Sequence, residues 1–228
     1  MEVQEEFITL SALICEPTRA TMLWHLLDNR AYTAGELAIV ADVSATSASN
    51  HLTKLAEADL VKAEKQGRHK YFSFSRPEVA YAVESLANLA SCNAKSVMQK
   101  SREVSGIKHC RTCYDHLAGF AGVKIAEALE TKEVINQSGG VYNVTEKGWD
   151  WLNEFGISKN HLVNNRRPIT RQCLDWSERR PHLAGQLGAL MLTKMLEKNW
   201  FKKIRFSREL VVTSKGSNEI YTLLNVQV

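Results

Sequence analysis

Apolar residues recur at helical intervals through the first part of the chain. Leu10, Leu13 and Ile14, then Met22, Leu23, Leu26 and Leu27, predict helices over 5–14 and 17–28. Pro17 suits a first helical turn and separates the two. Thr33-Ala34-Gly35-Glu36 fits a capping box that opens a short helix over 34–41. Ser44 is placed to cap a further helix over 45–57, which carries Ala48, Leu52 and Leu55 at core spacing. β-like runs at 60–65 and 69–75 flank Gln66-Gly67-Arg68, and Pro77 begins a helix running towards residue 97.

Two short helices about a tight turn, followed by a hairpin, predict a winged helix-turn-helix. The plain alternative is an α+β domain with a solvated hairpin. The polar face of 45–57 favours the first. Thr46, Ser47, Ser49, Asn50, His51, Thr53 and Lys54 are mostly short donors and acceptors, able to approach base edges and phosphates closely. An ordinary solvent face carries more Glu and Lys. Charge adds to this picture only locally. Residues 1–100 hold 10 Lys/Arg against 12 Asp/Glu, yet 61–76 carries Lys62, Lys65, Arg68, Lys70 and Arg76 against Glu64 alone. A basic strip at a hairpin is suited to phosphate. Arg68, His69 and Lys70 sit at its tip.

Residues 107–228 contain a duplication. Arg111-Thr112-Cys113-Tyr114-Asp115-His116-Leu117-Ala118-Gly119 corresponds to Arg171-Gln172-Cys173-Leu174-Asp175-Trp176 and, after a short insertion, His182-Leu183-Ala184-Gly185. Both copies later reach Val-Thr-x-Lys-Gly, at 144–148 and 212–216, and the glycine-to-glycine gaps are 29 and 31 residues (119 to 148, 185 to 216). Each copy predicts a helix, a hairpin and a second helix capped by threonine. The expected fold is therefore mainly α with short β-hairpins (α+β). A winged DNA-binding and dimerisation domain covers 1–97, a linker 98–106, and a domain of two winged-helix-like repeats 107–228.

Glu16-Pro17-Thr18-Arg19, Glu36-Leu37-Ala38, the run from Val43 to Leu55 and the Gly67-Arg68-His69-Lys70-Tyr71-Phe72 wing together resemble the ArsR/SmtB family of bacterial repressors. The resemblance implies a homodimer paired through its first and last winged-domain helices, and operator binding that an inducer relieves. It does not carry over the family's metal sites. The helix before the recognition helix contains no thiol, and residues 77–97 contain neither Asp nor His, only Cys92 as a soft ligand.

The repeats hold their own chemistry. Cys110, Cys113, Asp115, His116, Cys173, Asp175 and His182 are candidate sensing residues, since thiolate and imidazole together suit zinc or another soft divalent metal. Cys110-x-x-Cys113 is alternatively a redox pair, with Cys113 activated if it lies in a helix's first turn. The bland reading is that Asp and Arg brace helix ends while buried Cys acts as a small apolar residue. A thiol- or metal-dependent enzyme remains the competing function class, but no phosphate-binding glycine loop, nucleophile elbow or H-E-x-x-H helix supports it.

Composition narrows the rest. With 228 residues, 44% hydrophobic and 24% charged, the chain is neither disordered nor low-complexity. No uncharged apolar run approaches bilayer length, the first residues are acidic where a secretory signal would be basic, and five cysteines argue against a disulfide framework. These features imply a cytoplasmic protein without a membrane partner. Its expected partners are double-stranded DNA, a second copy of itself, and a small inducer or metal ion.

Overall fold

Glu16 and Arg19 set the joint between the first two helices. α1 (Glu2–Ile14) gives way to α2 (Pro17–Leu26) where the Glu16 carboxylate accepts the Thr18 and Arg19 amides at 3.1 and 2.9 Å. The buried Arg19 guanidinium donates to the Leu13 and Ala12 carbonyls, at 2.6 and 3.0 Å, and so satisfies the open end of α1. The computed structural model describes residues 2–93, 106–163 and 167–228, and the chain divides into two compact units, 1–87 and 88–228.

In the first unit, Thr33 accepts the Glu36 amide at 3.3 Å while the Glu36 carboxylate accepts the Thr33 amide at 2.8 Å. This reciprocal box opens α3 (Ala34–Val40). Asp42, at φ +53°, reverses the chain after it, and Ser44 then caps α4 (Ala45–Glu57) by accepting the Ser47 amide at 3.1 Å. β2 (Val61–Gln66) and β3 (His69–Phe74) pair antiparallel from Val61↔Phe74 to Gln66↔His69, leaving Gly67-Arg68 as the turn. β1 (Tyr32–Thr33) joins the far edge of β3, in the order β1-β3-β2. Two residues are too few for an alternating pattern, so nothing in the sequence signalled β1. Met22, Leu23, Leu26, Leu37, Leu52, Leu55, Phe72 and Phe74 fill the core, with Val79 and Val83 of α5 (Pro77–Asn93). Residues 94–97 of the expected last helix, and 98–105 of the expected linker, lie outside the described residues.

The second unit repeats one motif twice. The first copy is β4 (Arg111–Cys113), β5 (His116–Ala118), α6 (Gly119–Thr131), β6 (Ile135–Ser138), β7 (Val141–Val144) and α7 (Glu146–Phe155). The second is β8 (Arg171–Leu174), β9 (Pro181–Ala184), α8 (Gly185–Glu197), β10 (Phe201–Lys203), β11 (Leu210–Val212) and α9 (Ser214–Leu224). Each copy thus contains the expected helix, hairpin and threonine-capped helix, preceded by a further hairpin. The first leading hairpin was illegible because β4 and β5 span three residues each and are buried on both faces, so they show no alternation.

The copies interlock reciprocally. β5 lies against β9, α6 packs on β9, and α8 packs on β5. The Thr112 amide donates to Arg208 O at 2.8 Å and the Leu210 amide to Cys110 O at 2.9 Å, joining β4 to the chain that leads into β11. Gly119 and Gly185 open the two long helices at φ +79° and +86°. A Cβ there would stand 2.7 Å from Lys108 O or 2.8 Å from Ile169 O, so no side chain fits at either turn. Thr145 and Thr213 cap the last helix of each copy by accepting the Gly148 and Gly216 amides at 2.8 and 2.9 Å. No helix among the described residues is long and apolar enough to cross a membrane.

Candidate functional site

Two places in the molecule gather polar chemistry, one in each unit. In the first, α4 buries Ala48, Leu52 and Leu55 and turns Thr46, Ser49, Asn50, Thr53 and Lys54 to the exterior, with Ser47 half-buried at its margin. His51 is also half-buried and faces α2, with Nδ1 3.4 Å from both Glu16 Oε2 and Arg19 Nη1. Burial raises the Glu16 carboxyl, but the Arg19 and Thr18 amides and His51 outweigh it and hold the pKa below its usual value. His51 therefore braces the joint beneath α4 in this structure.

On the hairpin, Arg68, His69 and Lys70 are all exposed at the turn. Arg68 Nε donates to His69 Nε2 at 3.3 Å, and Lys70 Nζ lies 5.3 Å from the Phe72 ring centre. Lys62 is drawn to Glu64 at 2.7 Å, and Arg76 to Asp59, which leaves the basic character concentrated at the tip. An exposed helix of short polar side chains beside a cationic hairpin can meet base edges with the first and phosphates with the second.

In the second unit the leading hairpins converge. Cys113 pairs across the β4–β5 ladder with His116, and Cys173 pairs across β8–β9 with His182. The four ligand atoms all lie within 4.8 Å of one another, with Cys113 Sγ 3.7 Å from Cys173 Sγ. The imidazoles stack with ring centres 5.0 Å apart, and both histidines are essentially inaccessible. His116 Nε2 and both ring nitrogens of His182 make no hydrogen bond.

Two aspartates flank this cluster. Asp115 Oδ1 lies 3.3 Å from His116 Nδ1, and its other oxygen lies 2.7 Å from Arg167 Nη1. Asp175 Oδ2 lies 3.5 Å from His182 Nδ1 and accepts from Arg111 Nη2 and the Gly119 amide, each at 2.7 Å. Its Oδ1 accepts the Ser177 hydroxyl and the Ser177 and Glu178 amides. Burial opposes both carboxylates, yet their partners win and depress both pKa values, Asp175 most strongly. Burial likewise opposes a charged His116, but Cys113 and Asp115 raise its pKa to about 9.

Four of the seven candidate sensing residues therefore meet: Cys113, His116, Cys173 and His182. Asp115 and Asp175 stand behind the two imidazoles. Cys110 sits in the apolar core, where burial pushes its thiol pKa far up and keeps it protonated. Cys113 lies on β4 and not in a helix's first turn, and the sulfur beside it belongs to Cys173. Sequence reasoning missed Arg111 and Arg167 as partners of the aspartates. The repeated Arg-x-Cys-x-Asp signalled the first, and nothing signalled the second.

The comparisons with known proteins bear on both units. A family model described as a helix-turn-helix domain matches residues 15–64. An uncharacterized HTH-type transcriptional regulator of Bacillus subtilis, YdfF, is 36% identical over 219 residues, covering 96% of this chain and 97% of its own. Among solved structures, the winged domain of Mb0332 from Mycobacterium bovis is 18% identical, with TM-score 0.40, over 44% of this chain and 92% of that one. Reduced HlyU from Vibrio cholerae is 24% identical, with TM-score 0.36, over 39% and 92%. The near full-length relative spans the duplicated unit as well as the winged one, and the chain belongs to the family of HTH-type transcriptional regulators.

Proposed function

We propose that this regulator is a cytoplasmic homodimeric repressor that leaves its operator when an inducer, a metal ion or a thiol-reactive species, acts on the duplicated unit. The observation that carries the reading is the division of exposed chemistry in the first unit. Thr46, Ser47, Ser49, Asn50 and Lys54 of α4 would enter the major groove, with His51 behind them. Arg68, His69 and Lys70 of the wing would hold phosphates. Dimerisation is supported by apolar side chains left outside. Val3, Phe7 and Ile8 of α1 and Leu86 and Leu89 of α5 are exposed, whereas Val79 and Val83 of α5 are core.

The test is a mobility-shift titration on the upstream region of the protein's own gene, with light scattering in reducing buffer. The expected results are sequence-specific retardation and about twice the chain mass; equal affinity for random DNA, or a monomer, would overturn the corresponding part. Zinc, cadmium and a mild oxidant are then titrated against the complex. Release by one of them, lost in Cys113→Ser with Cys173→Ser, supports the inducer class. If none releases wild-type protein, that class is wrong, and an organic effector in the cleft lined by Trp151, Phe155 and Trp200 is the reading to pursue.

A further inference from the structure

We infer that Cys113, His116, Cys173 and His182 form a closed tetrahedral site for one zinc-class divalent ion, which clasps the two repeats of the second unit together. The inference uses the cluster on which the effector reading above rests, and its test contains no DNA, so either can fail alone.

The ligand set is the first argument. Two thiolates and two imidazoles are a donor combination that a soft, geometrically undemanding dication accepts, and four protein ligands complete a structural site without an open position. The spacing is the second. A zinc ion with bonds of about 2.3 Å to sulfur sets two tetrahedral thiolates about 3.8 Å apart. Cys113 Sγ and Cys173 Sγ stand at 3.7 Å. A disulfide would need about 2.05 Å. The four ligand atoms all lie within 4.8 Å of one another, so a slight inward movement on loading completes the coordination.

Burial is the third argument. Neither His182 ring nitrogen makes a hydrogen bond, nor does His116 Nε2, although the two residues are 1% and 0% exposed. Buried polar groups are ordinarily satisfied, so these nitrogens require a partner. A metal ion among them supplies one. Asp115 beside His116 Nδ1 and Asp175 beside His182 Nδ1 would orient each ring towards the centre through its other nitrogen. The ligands also come in equivalent pairs. Each hairpin offers one Cys and one His directly across its ladder, and the longer turn 175–180 replaces the turn 114–115 of the first copy without disturbing that pairing. Duplication thus kept half a site in each copy, and the site is complete only when the copies close on each other.

The experiment begins with the full chain purified in reducing buffer without added chelator. Elemental analysis is expected to give one zinc per chain, and cobalt substitution is expected to give intense visible bands with near-ultraviolet thiolate charge transfer. Cys113→Ser and Cys173→Ser should abolish both, while Cys15→Ser, at an exposed thiol, should change neither. Because a ligand variant can fail to fold, His182→Cys provides a second reading. It keeps four donors and adds a thiolate, so its cobalt charge-transfer intensity should rise by about half. A metal-free, fully reduced wild type that gives only weak octahedral cobalt absorption would overturn the assignment. So would metal retained in both serine variants, unchanged cobalt intensity in His182→Cys, or a native Cys113–Cys173 disulfide in thiol counting.

Discussion

The two units use the same kinds of polar side chain in opposite directions. The winged unit sends its short hydroxyls, amide and cations outwards from α4 and the β2–β3 turn, and its interior is aliphatic and aromatic apart from Arg19, Asp28 and Glu84. The duplicated unit turns Arg111, His116, Asp175 and His182 inwards until none is more than 1% exposed. Outward chemistry is satisfied by water, and can exchange that water for an external partner such as a polyanion. Inward chemistry must be satisfied within the chain, because a charge buried without a partner costs far more than it returns.

The sharpest way to break that contrast is at Asp175. Its carboxylate holds the fully buried Arg111, which also donates to Ile107 O and Ser177 Oγ at 3.1 Å and lies 4.2 Å from the Trp176 ring centre. Asp175→Ala leaves that guanidinium in the interior without its counter-charge. The expected loss is about 3–5 kcal/mol of stability in the second unit. Lys62→Ala, which removes an exposed, solvent-screened pair with Glu64, should leave the stability of the first almost unchanged. Urea unfolding of both variants checks this, and equal losses would erase the distinction between inward and outward charge.

A smaller effect is expected from the proposed division of labour between α4 and the wing. Asn50→Ala should lower the preference for operator over random DNA by about 1–3 kcal/mol. Arg68→Gln should weaken binding to all sequences alike and shallow the salt dependence by about one unit. Competition mobility shifts across a salt series separate the two. If Arg68→Gln reduces specificity as much as Asn50→Ala does, the helix and wing do not have separate roles.

The same contrast explains what was legible in the sequence. Outward-facing helices carry a periodic pattern, so α2, α3 and α4, with the caps at Thr33 and Ser44, could be placed from apolar spacing and polar start signals. Inward-facing hairpins carry none. β4 and β5 have no solvent face, so their residues obey packing and ligand geometry instead of alternation. The duplication alone made the cluster visible, by placing Cys113 with Cys173 and His116 with His182. It could not show that these would meet. Nor could it separate them from Cys110, whose fate depends on the apolar cluster around it.

Helix caps should respond alike in both copies of the repeat. Thr145 and Thr213 each accept a glycine amide and donate to a carbonyl fourteen or twelve residues earlier, Asn199 O at 2.7 Å and Glu133 O at 2.6 Å respectively for Thr213 and Thr145. Thr145→Ala and Thr213→Ala should each cost about 0.5–2 kcal/mol, within a few tenths of each other. A large difference in their urea midpoints would show that the two copies have diverged in how they hold their last helix.

The smallest effect is a pH-dependent one at the joint in the winged unit. Glu16 caps α2 and its pKa is lowered in the folded chain, although burial opposes this, because the Arg19 and Thr18 amides and His51 favour the carboxylate. A depressed carboxyl contributes stability that is present above its unfolded pKa, roughly 4.3, and lost as pH falls through its folded value. Glu16→Gln keeps an acceptor oxygen but loses the charge. It should therefore destabilise α2 slightly at neutral pH and not at all in acid, where wild-type Glu16 is itself neutral. Urea unfolding followed through the amide signals of α2 at both pH values reads the difference directly. A deficit that persists unchanged in acid would mean that Glu16 acts through shape instead of charge, and that even the outward-facing unit depends on packing at this joint.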